Sequence, residues 1–314
     1  MPIVRAENIL SRFRETVERL THGAGRIGLA VSGGGDSLAL LLIAREAMPD
    51  RIDVATVNHG LRAEAAHEAK MVADICDTLG VSQTILTPST PISGTLQASA
   101  RQARYECLEA WADERQLSWI ATAHHVEDQA ETLMMRLLRG SGIAGLSSIR
   151  ERNGRIIRPL LGWRRAELHA IVGKAGLSPA NDCSNHDLHF DRVRMRQAFS
   201  DNQWLDPVAL SKSAAIFAQA NEALDWATQR EAERRLAIDN CGVSLDPQGV
   251  PIEILRRLVM AALRHIVADI SPRGAQISAL IDALLDGRKT ELAAVICTGG
   301  AIWHFAPAAP RQTK

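Results

Sequence analysis

The chain has 314 residues, with 36 Lys plus Arg against 36 Asp plus Glu, a length beyond one average core that points to two domains. At 46% hydrophobic and 23% charged it lies in the globular range, which excludes a disordered chain. Zero net charge excludes a uniformly basic nucleic-acid binder and leaves room for local arginine patches.

No apolar run approaches the roughly 20 residues that span a bilayer. The first ten residues carry Arg5 and Glu7 in place of an apolar signal core. The expectation is a cytoplasmic protein with no membrane partner. Cys76, Cys107, Cys183, Cys241 and Cys297 show no CxxC spacing and read as buried or idle thiols.

In chain order, the apolar RIGLAV (26–31) predicts a strand, SGGGDS (32–37) a glycine turn, and LALLLIA after it a helix. The alternation returns three times. IDVATVN (52–58) precedes a helical stretch over 64–79, QTILT (83–87) precedes 98–115, and SWIATA (118–123) precedes 126–139. Strands alternating with helices predict an α/β, Rossmann-like, doubly wound parallel sheet that binds its ligand at the strands' carboxyl ends. Helical spacing then dominates over 208–236, 252–267 and 275–285. That predicts a catalytic domain over 1–205 and an all-helical domain over 206–314, joined at Asp206-Pro207.

The chemistry-bearing residues stand at the predicted strand ends. In Ser32-Gly33-Gly34-Gly35-Asp36-Ser37 three glycines remove every Cβ from a turn at a helix start, so backbone N–H groups can cradle a phosphate. The loop lacks the Gly-Lys-Ser/Thr ending of a Walker A motif. The hydroxyls of Ser32 and Ser37 add donors. Asp36 would repel phosphate unless a divalent cation bridges the two, which implies Mg²⁺. Asn58, His59 and Arg62 follow the second strand, and Arg101 and Arg104 share a helix face. After the fourth strand come His124 and His125, then Asp128 and Glu131 at i, i+3, a carboxylate pair suited to a cation such as an amine or Mg²⁺. His-His-x-x-Asp could also ligate zinc, but no further ligand stands at a suitable spacing.

SGGGDS after a first strand resembles the signature of the PP-loop ATP pyrophosphatases, which leave AMP on a carbonyl oxygen and release pyrophosphate. VNHGLR (57–62), ARQARY (100–105), ATAHHVEDQAETLMMRLLRGSGIAGL (121–146), RPLL (158–161) and NDCSNHD (181–187) resemble the tRNA(Ile)-lysidine synthetase family. The resemblance covers about 26–200. It implies ATP as co-substrate, free L-lysine, and an isoleucine tRNA with a CAU anticodon, whose wobble cytidine is adenylated at carbon 2 before the lysine amine displaces AMP.

By the same resemblance Ser32, Gly33, Gly34, Gly35, Asp36, Ser37, Asn58, His59 and His124 would hold the nucleotide. Asp36 would also bind the metal, and Asp36, Arg104, Asp128, Glu131 and Arg192 would carry catalysis. Many members have an Arg-Asn pair where this chain has Arg192-Val193, and Val193 cannot supply that hydrogen bond. Longer members add a small further domain, and this chain, ending at Lys314, resembles either the shorter form or a shortened piece of a longer one.

Six arginines between Arg150 and Arg165 face a single Glu151, an imbalance able to track RNA phosphates. Six tryptophans could stack a base, though most read as core. Two other functions fit the loop alone: a PP-loop tRNA thiolase, disfavoured by the missing CxxC, and a non-catalytic ATP-binding regulator, disfavoured by the carboxylates.

Overall fold

Helix α1 (Glu7–Thr21), which the sequence reading did not anticipate, buries Leu10, Phe13, Val17 and Leu20 along one stripe. The computed structural model describes residues 7–58, 60, 63–88, 96–180, 191–202 and 204–308. After α1 come β1 (Ile27–Ala30), α2 (Gly35–Ala47), β2 (Ile52–Val57), α3 (Ala63–Leu79), β3 (Gln83–Leu86), α4 (Leu96–Glu114), β4 (Trp119–Ala121) and α5 (Val126–Leu138). Each lies within a few residues of its expected place. The short α6 (Ile143–Leu146), β5 (Arg152–Asn153), β6 (Ile156–Ile157), α7 (Arg165–Lys174), α8 (Asp191–Asp201) and α9 (Pro207–Arg235) follow.

The sheet runs β3-β2-β1-β4-β6-β5. Its strands are parallel except for the edge strand β5, which runs antiparallel to β6. Alternation along the strands feeds two cores. Ile27, Leu29, Ile52, Val54 and Ala121 meet side chains of α1, α2, α3 and α7, whereas Ala55 and Ile120 meet Leu108, Trp111 and Ala112 of α4. Helix α2 is buried continuously from Ser37 to Ala44, as a helix apolar all round must be. The order reverses direction between β1 and β4. That crevice, at the strands' carboxyl ends, is where open α/β sheets take ligands.

Two units separate by their internal contacts, Met1–Ala218 and Gln219–Lys314. The boundary falls inside α9, because Pro207 begins that helix and does not break the chain. Proline is well suited to a first helical position, where no N–H is needed.

The second unit corrects the all-helical expectation. Its helices are present as the end of α9 together with α10 (Ile252–Ile266) and α11 (Gly274–Leu285). It also holds an antiparallel sheet of β7 (Leu236–Asp239), β8 (Gly242–Leu245), β9 (Lys289–Leu292), β10 (Val295–Thr298) and β11 (Trp303–Pro307), in the order β7-β8-β11-β10-β9. Inward residues Val243, Leu245, Val295, Cys297, Trp303 and Phe305 pack against α10 and α11. These strands are four or five residues long, too short for a period of two to stand out beside the helices. Among the described residues no helix is long and apolar enough to cross a membrane.

Candidate active site

Loops after β1 and β4 meet at the crevice between those strands. Gly33 has φ +88°, a left-handed conformation that favours glycine. Gly34 is different. Its φ of −71° suits any residue, and a Cβ there would find only Ser32 Oγ, at 3.7 Å. The fold does not demand that glycine, but an anion approaching the open N-terminus of α2 would. Helix α2 has no side-chain cap. The Ser37 hydroxyl donates to the Gly34 carbonyl at 2.8 Å and accepts the Ser32 N–H at 3.2 Å, so it staples the loop. The Ser32 hydroxyl lines the pocket beside it.

At the β4 end, His125 caps α5 and is buried, 2% exposed. Its Nδ1 lies 3.0 Å from Glu127 Oε2, and its Nε2 lies 3.5 Å from Asp36 Oδ2 and 3.4 Å from Asp128 Oδ2. Burial opposes charge on the imidazole, yet hydrogen bonds to Asp36 and Glu127 and the field of Asp128 raise it to about 10. It is therefore an internal cation at neutral pH. Asp36 shows the reciprocal effect: burial works against its charge, but His125, Arg165 and His169 hold its carboxyl below the ordinary value. Glu127 is lowered likewise, against its burial, by His125 and by the Arg165 N–H, which donates to it at 2.9 Å.

Asp36 Oδ1 is a buried acceptor with no hydrogen bond. His169 Nε2 stands 3.3 Å from it, close enough for charge attraction but without a donor aimed at it. Gly35 permits that approach, since a Cβ would meet His169 Nε2 at 3.0 Å. No cluster of three or more His, Cys, Asp or Glu among the described residues could hold a metal alone. An orphaned carboxylate oxygen beside a phosphate cradle suits Mg²⁺, which takes one or two carboxylates and completes its shell with phosphate and water.

The pocket between these loops has a volume of about 240 Å³ and is lined by Ser32, Gly34, Asp36, Ser37, His124 and Asp128, with Arg101, Arg104 and Arg192 among its other walls. Arg104 lines the pocket and is exposed as a residue, while desolvation of its guanidinium lowers its pKa. His124 differs from its neighbour. Burial first, then the positive fields of Arg158, Arg101 and Arg192, push its imidazole down against Asp128, so it is neutral at pH 7. Its Nδ1 meets the Thr122 hydroxyl at 2.9 Å.

Other expected site residues stand apart from that wall. Glu131 is buried and paired with Arg196 at 3.0 Å, its Oε2 lacks a hydrogen bond, and burial raises its pKa despite Arg196. Asn58 uses its Oδ1 to accept the Gly60 N–H at 3.0 Å. His59, Arg62 and the NDCSNHD segment lie outside the described residues. The Arg192-to-Arg196 segment is helical, as α8, which separates Arg194 from the other two. Arg192 reaches Thr132 Oγ1 at 3.4 Å and the pocket, whereas Arg194 pairs with Asp191.

The arginine tract at 150–165 is partly committed to the fold. Arg152 stacks on Trp119 at 4.4 Å, Arg155 pairs with Asp113 at 2.7 Å, and Arg158 is buried, donating to the Arg150 carbonyl at 2.6 Å. Of the tryptophans, Trp111, Trp163 and Trp303 are core, while Trp204 and Trp226 are exposed.

Comparison with known proteins adds a separate line of support. Residues 5–202 match the PP-loop domain. The chain is 41% identical to the tRNA(Ile)-lysidine synthase of Zymomonas mobilis subsp. mobilis over 315 aligned residues, spanning 96% of this chain and 95% of the relative. It is also 41% identical to that of Novosphingobium aromaticivorans over 313, spanning 95% and 93%. Among solved structures, the U34-tRNA thiolase NcsA from Methanococcus maripaludis matches 69% of this chain and 78% of its own with a TM-score of 0.57, at 16% identity, a likeness of fold.

Proposed function

The chain belongs to the tRNA(Ile)-lysidine synthase family, a PP-loop ligase, and from that premise we propose that it joins free L-lysine to carbon 2 of the wobble cytidine in a CAU-anticodon isoleucine tRNA at the cost of ATP. In the first step the cytidine O2 attacks the α-phosphate, forming the O–P bond as pyrophosphate leaves. In the second, a lysine amine attacks carbon 2, the C–O bond to AMP breaks, and the amine gives up a proton.

The observation that carries this reading is the convergence of Asp36 and Asp128, from the first turns of α2 and α5, on one buried imidazole beside a cradle rimmed by three arginines. A passive nucleotide site gains nothing from two carboxylates next to phosphate. Gly34 and the start of α2 receive the phosphates through backbone N–H groups. Asp36 would hold Mg²⁺, which supplies charge neutralisation at the phosphates. Arg104 and Arg192 bear on the charge that develops on the leaving pyrophosphate.

His125 stays protonated and keeps Asp36 and Asp128 from repelling each other before substrate arrives. Asp128 is the lining carboxylate left for the lysine ammonium. Glu131 acts from behind, through Arg196, by fixing α8 and with it Arg192. We assign the second unit to positioning the tRNA.

Among the described residues no cysteine at the pocket supports the thiolase alternative, and Cys183 lies outside them. Cys76 and Cys297 are buried, and neither they nor Cys107 nor Cys241 lines it. Pyrophosphate release tests the proposal: it should require the CAU-anticodon tRNA, and AMP release should further require lysine. Release of AMP with a sulfide source in place of lysine would favour the thiolase, and ATP binding with no pyrophosphate formed under any condition would favour the regulator.

A further inference from the structure

Helix α5 ends in two leucines that stand exposed. Leu137 is 50% and Leu138 is 74% exposed, although both belong to an apolar run that elsewhere packs inward. Beside them Arg139 and Arg194 both pair with Asp191, one on each carboxylate oxygen, and the two arginine side chains remain 61% exposed. Two cations sharing one anion leave the fork with a net positive charge among the described residues.

The next residues, Gly140-Ser141-Gly142, leave α5 through an open bend. At Gly142 a Cβ would meet nothing within 4 Å, and φ −70° with ψ 179° is extended backbone open to any residue. The fold again fails to require the glycine. A partner that comes close to the backbone would.

This ridge continues the pocket. Helices α5 and α8 lie together through Glu131–Arg196, Arg192–Thr132 and Arg139–Asp191. One end of the pair carries Asp128 and Arg192 in the pocket wall, and the other carries the fork. From Asp128 to Arg139 is eleven residues of helix, about 16 Å at 1.5 Å per residue, the reach of a few splayed nucleotides.

We propose that Leu137, Leu138 and the Arg139–Asp191–Arg194 fork form the surface that takes the single-stranded RNA flanking the target nucleotide, phosphates on the fork and unstacked bases on the leucines. The inference rests on the functional reading above and adds to it where the RNA lies. Cationic groups that track a backbone beside side-chain faces that take the bases are the two elements of single-strand recognition; the faces are most often aromatic, and here they are two exposed leucines. A second copy of the chain would fit the leucines, but two copies would also bring two positive forks together, which makes RNA the better occupant.

The test uses the full chain and the CAU-anticodon transcript, with binding followed by fluorescence anisotropy at several salt concentrations and ATP affinity measured in parallel. Arg139→Gln should weaken tRNA binding roughly threefold to tenfold and lower the slope of log affinity against log salt by about 0.7, the single-strand value for one contact. Leu138→Ser should weaken binding by at least about threefold with the slope unchanged. Both sites are exposed, so both variants should keep wild-type ATP affinity, which reports that they fold.

Wild-type tRNA affinity and salt slope in both variants would overturn the proposal. So would a change in sedimentation behaviour of Leu138→Ser, which would mark the ridge as a protein interface. Failure of the wild-type chain itself to bind the transcript would instead overturn the functional reading, and this inference with it.

Discussion

Gly33 and Gly34 are neighbours with opposite reasons for being glycine, and substituting each by alanine separates folding from phosphate binding. At Gly34 the backbone is already in a region alanine adopts, and the added Cβ meets only Ser32 Oγ at 3.7 Å. Two small terms oppose each other. Removing glycine's freedom from the unfolded chain stabilises by about 0.4–1 kcal/mol, and alanine is a poorer helix N-cap by a similar amount. Gly34→Ala should therefore leave apo stability within about 1 kcal/mol of wild type.

Its effect on ATP should be much larger, because Gly34 lines the pocket and the methyl takes up space otherwise open to an approaching phosphate. Losing one charge-assisted hydrogen bond costs about 1.5–3 kcal/mol, a tenfold to hundredfold loss of affinity. At 100 times the dissociation constant a ligand stabilises by about 2.7 kcal/mol, and each tenfold loss of affinity removes about 1.4 kcal/mol of that. Thermal unfolding with and without ATP·Mg²⁺ reads both quantities. Gly33→Ala should show the reverse order, with apo stability lower by about 1–2 kcal/mol because φ +88° is strained for alanine. A Gly34→Ala variant that unfolds several kcal/mol more easily without ATP, or that keeps the full ATP shift, would refute the assignment of this loop as the phosphate cradle.

Three more expectations concern the carboxylates. Asp36→Asn should abolish pyrophosphate formation while leaving the fold intact; activity within tenfold of wild type at saturating Mg²⁺ would contradict its role. Asp128→Asn should raise the Michaelis constant for lysine more than that for ATP, and equal changes in both would place Asp128 elsewhere in the reaction. Arg196→Met should leave the buried Glu131 carboxylate without its partner and cost about 3 kcal/mol at pH 8. Because burial already raises the Glu131 pKa above its ordinary 4.5, the folded state binds that proton more tightly than the unfolded chain. The penalty is thus full above the folded pKa and fades as pH falls towards 4.5. Urea unfolding at pH 8 and pH 5 should show the gap to wild type narrowing on acidification; a gap that widens would show that Glu131 is not the ionised partner.

The parallel sheet was legible because its signals are local. RIGLAV, IDVATVN and SWIATA are apolar runs closed by loop residues, and each became a strand within a residue or two of its expected ends. The glycine loop was equally legible, since three successive glycines have few structural uses. What the sequence hid was pairing between distant residues. His125 stood in view beside His124, but only the fold brings Asp36, 89 positions earlier, to its Nε2, and that contact separates a protonated imidazole from a neutral one next door. His169 and the N-terminus of α7 give no motif at all, and they reach the site because α7 packs on α2 through Leu168, Ile171 and Val172. Glu131 read as a pocket residue from its i, i+3 spacing to Asp128, whereas Arg196 of α8, 65 positions away, turns it into a buried strut.

Whether this pocket joins lysine to a cytidine of an isoleucine tRNA is tested most directly by transfer of label. The protein would be incubated with ATP, Mg²⁺, radiolabelled L-lysine and isoleucine tRNA transcripts bearing either a CAU or a UAU anticodon, and the RNA counted after acid precipitation. Label that enters the CAU transcript, depends on ATP and is absent from the UAU transcript is the predicted result. No label in the CAU transcript, or equal label in both, would contradict the account.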